Sequence, residues 1–436
     1  MRLIRLLKKD LAREISGWVD KGLISIDQAT SICQLYGIDY DSIKTHSGGY
    51  RVLVALGYLF LGLSLITLLS ANWDDIPRGL RMGGLLAITI GTHSLALRTY
   101  FAQKESTAVG LFLLGNLFYG ASIILIAQIY HLGEHMPDGV FWWALGSLPF
   151  GVLLLNVWLT LFSCLLGLLW FFMEYSLGFT ATLFPVFIAA AVYVLIKSRP
   201  SALLFLTTAF SIGLWVEMIL SAAWTIDRHG LDLHAEHIFV SSALFIFAYA
   251  FSQWLGSRES AKAQDYGVLL SLWTLRFGLI VMLVMSYEEP WVELIRADWD
   301  HQVSMSLVVI VLLAASLWLA SFSGALQTVV PISLFFGLSM IAVVLSDDRS
   351  NGMLFQIIYN VALVGSAIWL IMSGIKNGVS HYFFLGVATL LLTALLRYID
   401  LIGEYVGGAI LFMVFAALLL AAARYWKMQQ PRGTGK

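Results

Sequence analysis

Charge is what this sequence has least of. Only 12% of its 436 residues are Asp, Glu, Lys or Arg and 59% are apolar, whereas a soluble domain is about a quarter charged and nearer half apolar. A soluble fold has no way to hide that much apolar surface, so that class is excluded. Cysteine is almost absent. Cys33 lies in the polar N-terminal segment and Cys164 inside an apolar run, so a disulfide between them is not expected. No phosphate-cradling glycine loop, nucleophile elbow or cysteine metal motif is present, and no cofactor is expected. The apolar runs lack the alternation of barrel strands, which makes them helices. The first run begins near Val52, too late for a cleaved leader.

What is present is a series of long apolar runs and a mean hydropathy of +0.83. The runs fall at 52–71, 79–97, 107–130, 139–155, 157–173, 178–196, 201–223, 237–256, 267–286, 303–322, 325–345, 353–373, 380–396 and 404–423. Most approach the roughly twenty residues that one helical crossing needs. The expected fold is therefore all-α, a polytopic membrane bundle of about fourteen helices, or twelve if two weak separations fail. Those lie at Asn156 and at Ser323-Gly324, where two runs read either as one long helix or as a tight hairpin.

Lysine is missing from one side. If the N-terminus is cytoplasmic, that side receives Arg98, Lys104, Lys197, Arg199, Arg258, Lys262, Lys376, Arg424 and Lys427, together with every basic residue of the first 51 positions. The other side receives six arginines and no lysine. By the positive-inside rule both termini are cytoplasmic. The same rule accounts for the basic N-terminus without any nucleic-acid partner.

Residues 1–49 differ from the rest. Leu7, Leu11, Ile15 and Val19 recur every four positions among charges, and Gly22 stops that helix. Ser25 and Gln28 then read as a capping box that opens a second helix, with Ile26, Ala29, Ile32, Cys33 and Tyr36 as its apolar stripe. The division expected is a cytosolic helical pair (1–49), a first four-helix membrane unit (50–155), middle helices (156–324), a last four-helix unit (325–423) and a cytosolic tail (424–436). Leu59–Ile66 echoes Leu334–Ile341, each followed by an Asp-Asp pair, so the last unit reads either as a repeat of the first or as chance similarity.

Three groups of motifs occur together. Trp18, Gly22, Ile24, Ser25, Gln28, Ala29, Ile32 and Tyr36 form the first. Gly62 with Ala71-Asn72-Trp73-Asp74, Ile76-Pro77 and Arg81 forms the second. Ala127-Gln128-Ile129-Tyr130-His131-Leu132, Pro137-Asp138-Gly139 and Trp143-Ala144-Leu145-Gly146 form the third. Over residues 10–155 the chain resembles the bacterial membrane family catalogued as domain of unknown function 2157. Arg397-Tyr398-x-Asp400 is similar to the C-terminal end of such proteins. The resemblance implies a bacterial cytoplasmic membrane and this architecture, and no established chemistry.

Several residues are candidates for function. Arg276 sits near the middle of its span and is expected to face the protein interior, with Glu217 as a possible partner. The reading is either a structural ion pair or a substrate or proton pathway. Asn116, Gln128, Gln356 and Asn360 are expected to form interhelical hydrogen bonds. The first outer loop, with Asn72, Trp73, Asp74 and Arg81, is either a rigid cap or a binding surface, and Arg397 and Asp400 stand in a similar place. His131-Leu-Gly-Glu134-His135 matches the inverted zinc-protease pattern, and His234 and His237 could add ligands with Asp232 and Glu236. Against a metal, Gly133 weakens that helix and Pro137 closes it.

The leading functional expectation is a transporter-like or ligand-handling membrane protein with a site near mid-membrane or at the outer mouth. Its rival is a structural or regulatory protein that docks a cytosolic partner through residues 1–45. An outer-face metal-dependent enzyme is the third. Single cysteines placed at positions 132, 230 and 295 are expected to react with an impermeant thiol reagent added to intact cells, and those at 25 and 430 to be protected. Labelling at 430 would remove the even helix count.

Overall fold

A computed structural model describes residues 15, 17–19, 21–35, 56, 57, 60, 61, 63, 64, 67, 77–130, 135–224, 234–346, 348, 351–377, 380–400 and 413. All regular structure among the described residues is helical: α1 (Ile26–Leu35), α2 (Arg78–Phe101), α3 (Glu105–Tyr130), α4 (Met136–Leu153), α5 (Val157–Ser176), α6 (Pro185–Lys197), α7 (Ala202–Trp224), α8 (Glu236–Gly256), α9 (Ala261–Val284), α10 (Glu289–Arg296), α11 (Gln302–Ser323), α12 (Leu326–Val344), α13 (Asn351–Asn377) and α14 (Ser380–Asp400). Ten of these are long and apolar enough to cross a bilayer, and the chain is a multi-pass membrane protein. The expected spans at 52–71 and 404–423 lie almost wholly outside the described residues. The run at 178–196 yields only the 13 residues of α6. At about 1.5 Å per residue that is short of a hydrocarbon core of roughly 30 Å. Gly178, with φ +79, and Pro185 at the helix start delay its onset.

The chain forms two compact units, Met1–His234 with Leu255–Val268, and Ala235–Trp254 with Leu269–Lys436. In the first, the N-terminal helical pair turns at Gly22, whose φ of +69 suits a residue without a Cβ. Leu23 N–H donates to Trp18 C=O and Gly22 N–H to Val19 C=O, both at 2.9 Å, which makes a Schellman motif. The capping box follows: Gln28 N–H donates to Ser25 Oγ at 3.2 Å, and Ser25 N–H to Gln28 Oε1 at 2.9 Å. Ile15, Ala29 and Cys33 are fully buried between the two segments. Ile26, expected in that stripe, is instead 60% exposed.

Both doubtful separations are hairpins. Gly324, at φ +70, ends α11, with Ala325 N–H donating to Ala320 C=O at 3.1 Å. Leu155, at φ +47, ends α4 in the same way: Asn156 N–H reaches Gly151 C=O at 2.9 Å. The Asn156 Oδ1 then accepts from Trp158 and Leu159 N–H at 3.0 and 3.2 Å and caps α5. One residue thus closes one helix and opens the next. Where helices α3 and α4 cross, Trp143 lies over Gly120 and Tyr119 over Gly146, and a Cβ at either glycine would overlap the ring. Small residues under aromatic rings bring these backbones close, which is how helices associate in lipid.

In the second unit α10 is an amphipathic helix absent from the expected spans, since its eight residues are too few and too charged to cross. Trp291 and Leu294 are buried, and Glu293 pairs with Arg296 at 3.0 Å on the exposed side. Leu279 on α9 packs with Leu363 and Leu370 on α13, and Ala367 and Ile371 pack with Leu390 and Ala394 on α14.

Leu155 carries a side chain in a conformation that costs L-residues roughly 1–2 kcal/mol. Leu155→Gly is expected to stabilise the protein by about 1 kcal/mol in detergent denaturation, while Leu154→Gly, at φ −85, loses about 0.5–1 kcal/mol. Equal losses from both substitutions would refute this account of the turn.

Candidate functional site

The first unit assembles a small polar site where α4 begins and α5 ends. His135 is the N-cap residue of α4, in extended conformation (φ −119, ψ 97), with Pro137 just inside the helix. Glu174 lies in the last turn of α5 and is 6% exposed. The ring nitrogen Nε2 of His135 is 2.9 Å from Glu174 Oε2. On the other oxygen, Trp170 Nε1–H donates to Oε1 at 2.9 Å, a contact that follows from i, i+4 spacing on one helix face. A buried carboxylate costs several kcal/mol unless its oxygens are bonded, and here each oxygen has a donor. Because a carboxylate can only accept, the Nε2 of His135 carries a proton in this contact.

Two more groups complete the site. Asp138, exposed in the first turn of α4, brings a carboxylate oxygen such that the ligand atoms of His135, Asp138 and Glu174 all lie within 4.8 Å of one another. Phe179 meets the His135 ring edge-on, with centroids 4.9 Å apart. The turn at Gly178 places it there: Phe179 N–H donates to Glu174 C=O at 2.9 Å, folding the chain back over the end of α5. The result is an imidazole and two carboxylates, one of them buried and fixed, open to the surface through Asp138.

A second polar cluster lies deeper in the same unit. His93 on α2 places Nδ1 2.9 Å from Thr89 C=O and Nε2 3.1 Å from the side-chain amide of Asn116 on α3. The carbonyl can only accept, so Nδ1 carries a proton. The Asn116 atom facing Nε2 is Oδ1, and a half-turn of the amide would bring its NH2 there to donate to Nε2 of a neutral ring. Trp143 Nε1–H donates to Asn116 C=O at 2.7 Å, and the hydroxyls of Thr89 and Ser122 lie 3.1 Å apart. Three helices are thereby joined. On α5–α7 of the same unit, Cys164, Phe187, Thr208 and Ser211 border a void with room for about one water.

The second unit has a knot of its own around Ser286, which is fully buried. Arg397 Nη2 donates to Ser286 C=O at 2.5 Å and to its Oγ at 2.7 Å. Asn360 Nδ2 donates to the same carbonyl at 2.8 Å. The Arg397 guanidinium also lies 4.1 Å from the centroid of Tyr287, and Trp291 Nε1–H donates to Met285 C=O at 2.6 Å. These contacts secure the turn between α9 and α10. Glu236, the first residue of α8, is fully buried; its Oε1 accepts from His301 N–H at 3.0 Å, and its Oε2 has no hydrogen-bond partner among the described residues.

Of the sequence candidates, His135 is the one that the structure places in a multi-residue cluster with metal-ligand geometry among the described residues. His131 and Glu134 lie outside the described residues. The helical face that an H-x-x-E-H motif requires does not run through His135, whose backbone is extended. His237 is buried in α8, and His234 precedes that helix. Asn72, Trp73 and Asp74 lie outside the described residues, as does the side chain of Asp400, while Arg81 is half-buried on α2. Glu217 is half-buried on α7 in the first unit, and Arg276 is on α9 in the second. Arg276 is exposed, with its guanidinium carbon 5.5 Å from the centroid of Trp273, one turn away. The helix itself supplies that cation with a ring face. Sequence reasoning missed Glu174 as a partner of His135. Its signal was a lone acid four residues after a tryptophan in an otherwise apolar run.

Residues 16–160 match the model of the family described as "Predicted membrane protein (DUF2157)", the family that the N-terminal motifs resemble. No curated protein and no solved structure matches the chain. His93, Asn116, His135 and Asp138 fall within the matched stretch, and Glu174 lies beyond it.

Arg397 acts as a structural donor in this geometry. Arg397→Met, which keeps the apolar stem, is expected to lower stability by about 2–3 kcal/mol in denaturation experiments, from charged hydrogen bonds and the ring contact it removes. Unchanged stability would reassign Arg397 to ligand binding.

Proposed function

We propose that this multi-pass membrane protein handles a cationic solute at the outer mouth of its first unit, with both termini in the cytoplasm of a bacterial cell. The observation that carries the reading is the His135–Asp138–Glu174 cluster: two carboxylates beside one imidazole, the inner carboxylate buried and held in place. Ionisable groups are costly at membrane depth and mark ligand pathways when they are kept there. The excess of acceptors over donors favours a positively charged occupant. The absence of lysine from the loops on that side supports the outer placement. Asp138 supplies the exposed end, where a cation meets the site from water, and Glu174 the desolvated end, where its attraction is strongest.

The chemistry required is binding and release, with no covalent step. A cation arriving at Asp138 competes with the His135 proton for Glu174, so occupancy and the His135–Glu174 hydrogen bond are mutually exclusive at Oε2. The Trp170 N–H on Glu174 Oε1 and the Phe179 ring against the imidazole keep the donor set from collapsing when that bond opens.

Proteoliposomes containing the full chain test the proposal, offered divalent metal ions, choline, arginine and sulfate in parallel. Uptake of at least one cation about tenfold above protein-free vesicles is expected, falling to background in Glu174→Gln, with sulfate excluded. Uptake that is insensitive to Glu174→Gln, or confined to sulfate, would overturn the reading.

A further inference from the structure

We infer that the His135–Asp138–Glu174 cluster is a binding site for a divalent first-row transition-metal ion such as zinc or manganese; this rests on the cation-handling reading above and narrows it to one chemical class. Each of the three residues offers a ligand atom of the appropriate kind: an imidazole nitrogen of His135 and one carboxylate oxygen each from Asp138 and Glu174. They come from the N-cap and first turn of α4 and from the last turn of α5, and they lie within 4.8 Å of one another. Metal–ligand bonds of about 2.0–2.2 Å place neighbouring donors about 3.0–3.5 Å apart. The His135 and Glu174 atoms, at 2.9 Å, need only separate slightly, and the exposed Asp138 side chain swings in from the surface.

The donor set selects the ion. With one nitrogen and two oxygens and no sulfur, it disfavours copper(I), which wants thiolate or thioether. The imidazole disfavours calcium and magnesium, which take oxygen ligands throughout. Remaining coordination positions face the open side, where water or a solute group fills them. Binding removes the proton from His135 Nε2, which passes to Nδ1 of the same ring or to water, and the metal takes the place that the proton held against Glu174.

The surroundings are those of a held ligand. Trp170 Nε1–H binds Glu174 Oε1 at 2.9 Å and so aims Oε2 at the site. Outer contacts of this kind typically change metal affinity by about 10–100-fold when removed. Glu174 is 6% exposed, so its charge is little screened by water. Cys164 on α5 is buried with its Sγ directed at Phe187 C=O, 3.6 Å away, and takes no part.

The test uses the full chain purified in detergent without a polyhistidine tag and stripped of metal. Zinc and manganese are titrated separately by calorimetry, with bound metal counted after gel filtration. One equivalent per chain is expected. Affinity should fall at least tenfold in Asp138→Asn, a surface change that leaves the fold intact, and about tenfold in Trp170→Phe. Glu174→Gln should abolish stoichiometric binding. Binding of neither ion, or equal affinity in Asp138→Asn and Trp170→Phe, overturns the inference. Choline or arginine uptake that persists in metal-free vesicles and is lost in Glu174→Gln would overturn the metal while leaving the cation-handling reading in place. Absence of all cation uptake together with binding of neither ion would remove both.

Discussion

A hydrogen-bonding group in lipid has no water to fall back on, and most of this structure follows from that constraint. Helices satisfy their own interiors, but each leaves four N–H and four C=O groups unpaired at its ends. The short connections here answer that need with one device used repeatedly. At Gly22, Gln103, Leu155, Gly178 and Gly324 the chain enters the left-handed region, and the following N–H turns back to a carbonyl of the last helical turn. Two of the five are not glycine. The protein accepts local strain there because a residue in that conformation ends one helix and lets the next begin within two or three residues.

The same constraint governs side chains between helices. Asn116 is 1% exposed and meets His93 of a neighbouring helix and the indole of another. Ser286 receives Arg397 and Asn360 from two further helices. Each knot ties three segments at a polar point, where dispersion alone would leave rotation and sliding nearly free. The apolar surfaces between the knots fit through size alternation, with rings of Trp143 and Tyr119 over glycines of the opposing helix. Specificity of packing therefore comes from a few polar groups and small residues, while the apolar majority supplies contact.

Glu174 differs from these knots because its helix end opens to the surface through Asp138. Buried and doubly bonded, it is the place where structural satisfaction and ligand capture use the same atoms: the oxygen that now accepts from His135 is the one a cation would take. Arg276 shows the contrasting case, an exposed charge whose neighbour is a tryptophan ring on its own helix.

The sequence by itself determined the elements. Apolar runs of helical length located twelve of the described helices that lie along them, and the capping box at Ser25 and the stop at Gly22 were legible because their bonds span three to five residues. The separation at Gly324 was open as hairpin or continuous helix, and at Asn156 likewise. There the decision depended on Leu155 adopting a conformation that its side chain disfavours, which no local preference announces. The amphipathic α10 escaped notice because a helix of eight residues has too few turns for its period to stand out. Tertiary structure alone decided the partners. His135 meets Glu174 across 39 positions and Arg397 meets Ser286 across 111. Such contacts depend on which helix faces pack together, and in a chain whose faces are nearly all apolar the sequence carries little record of that choice.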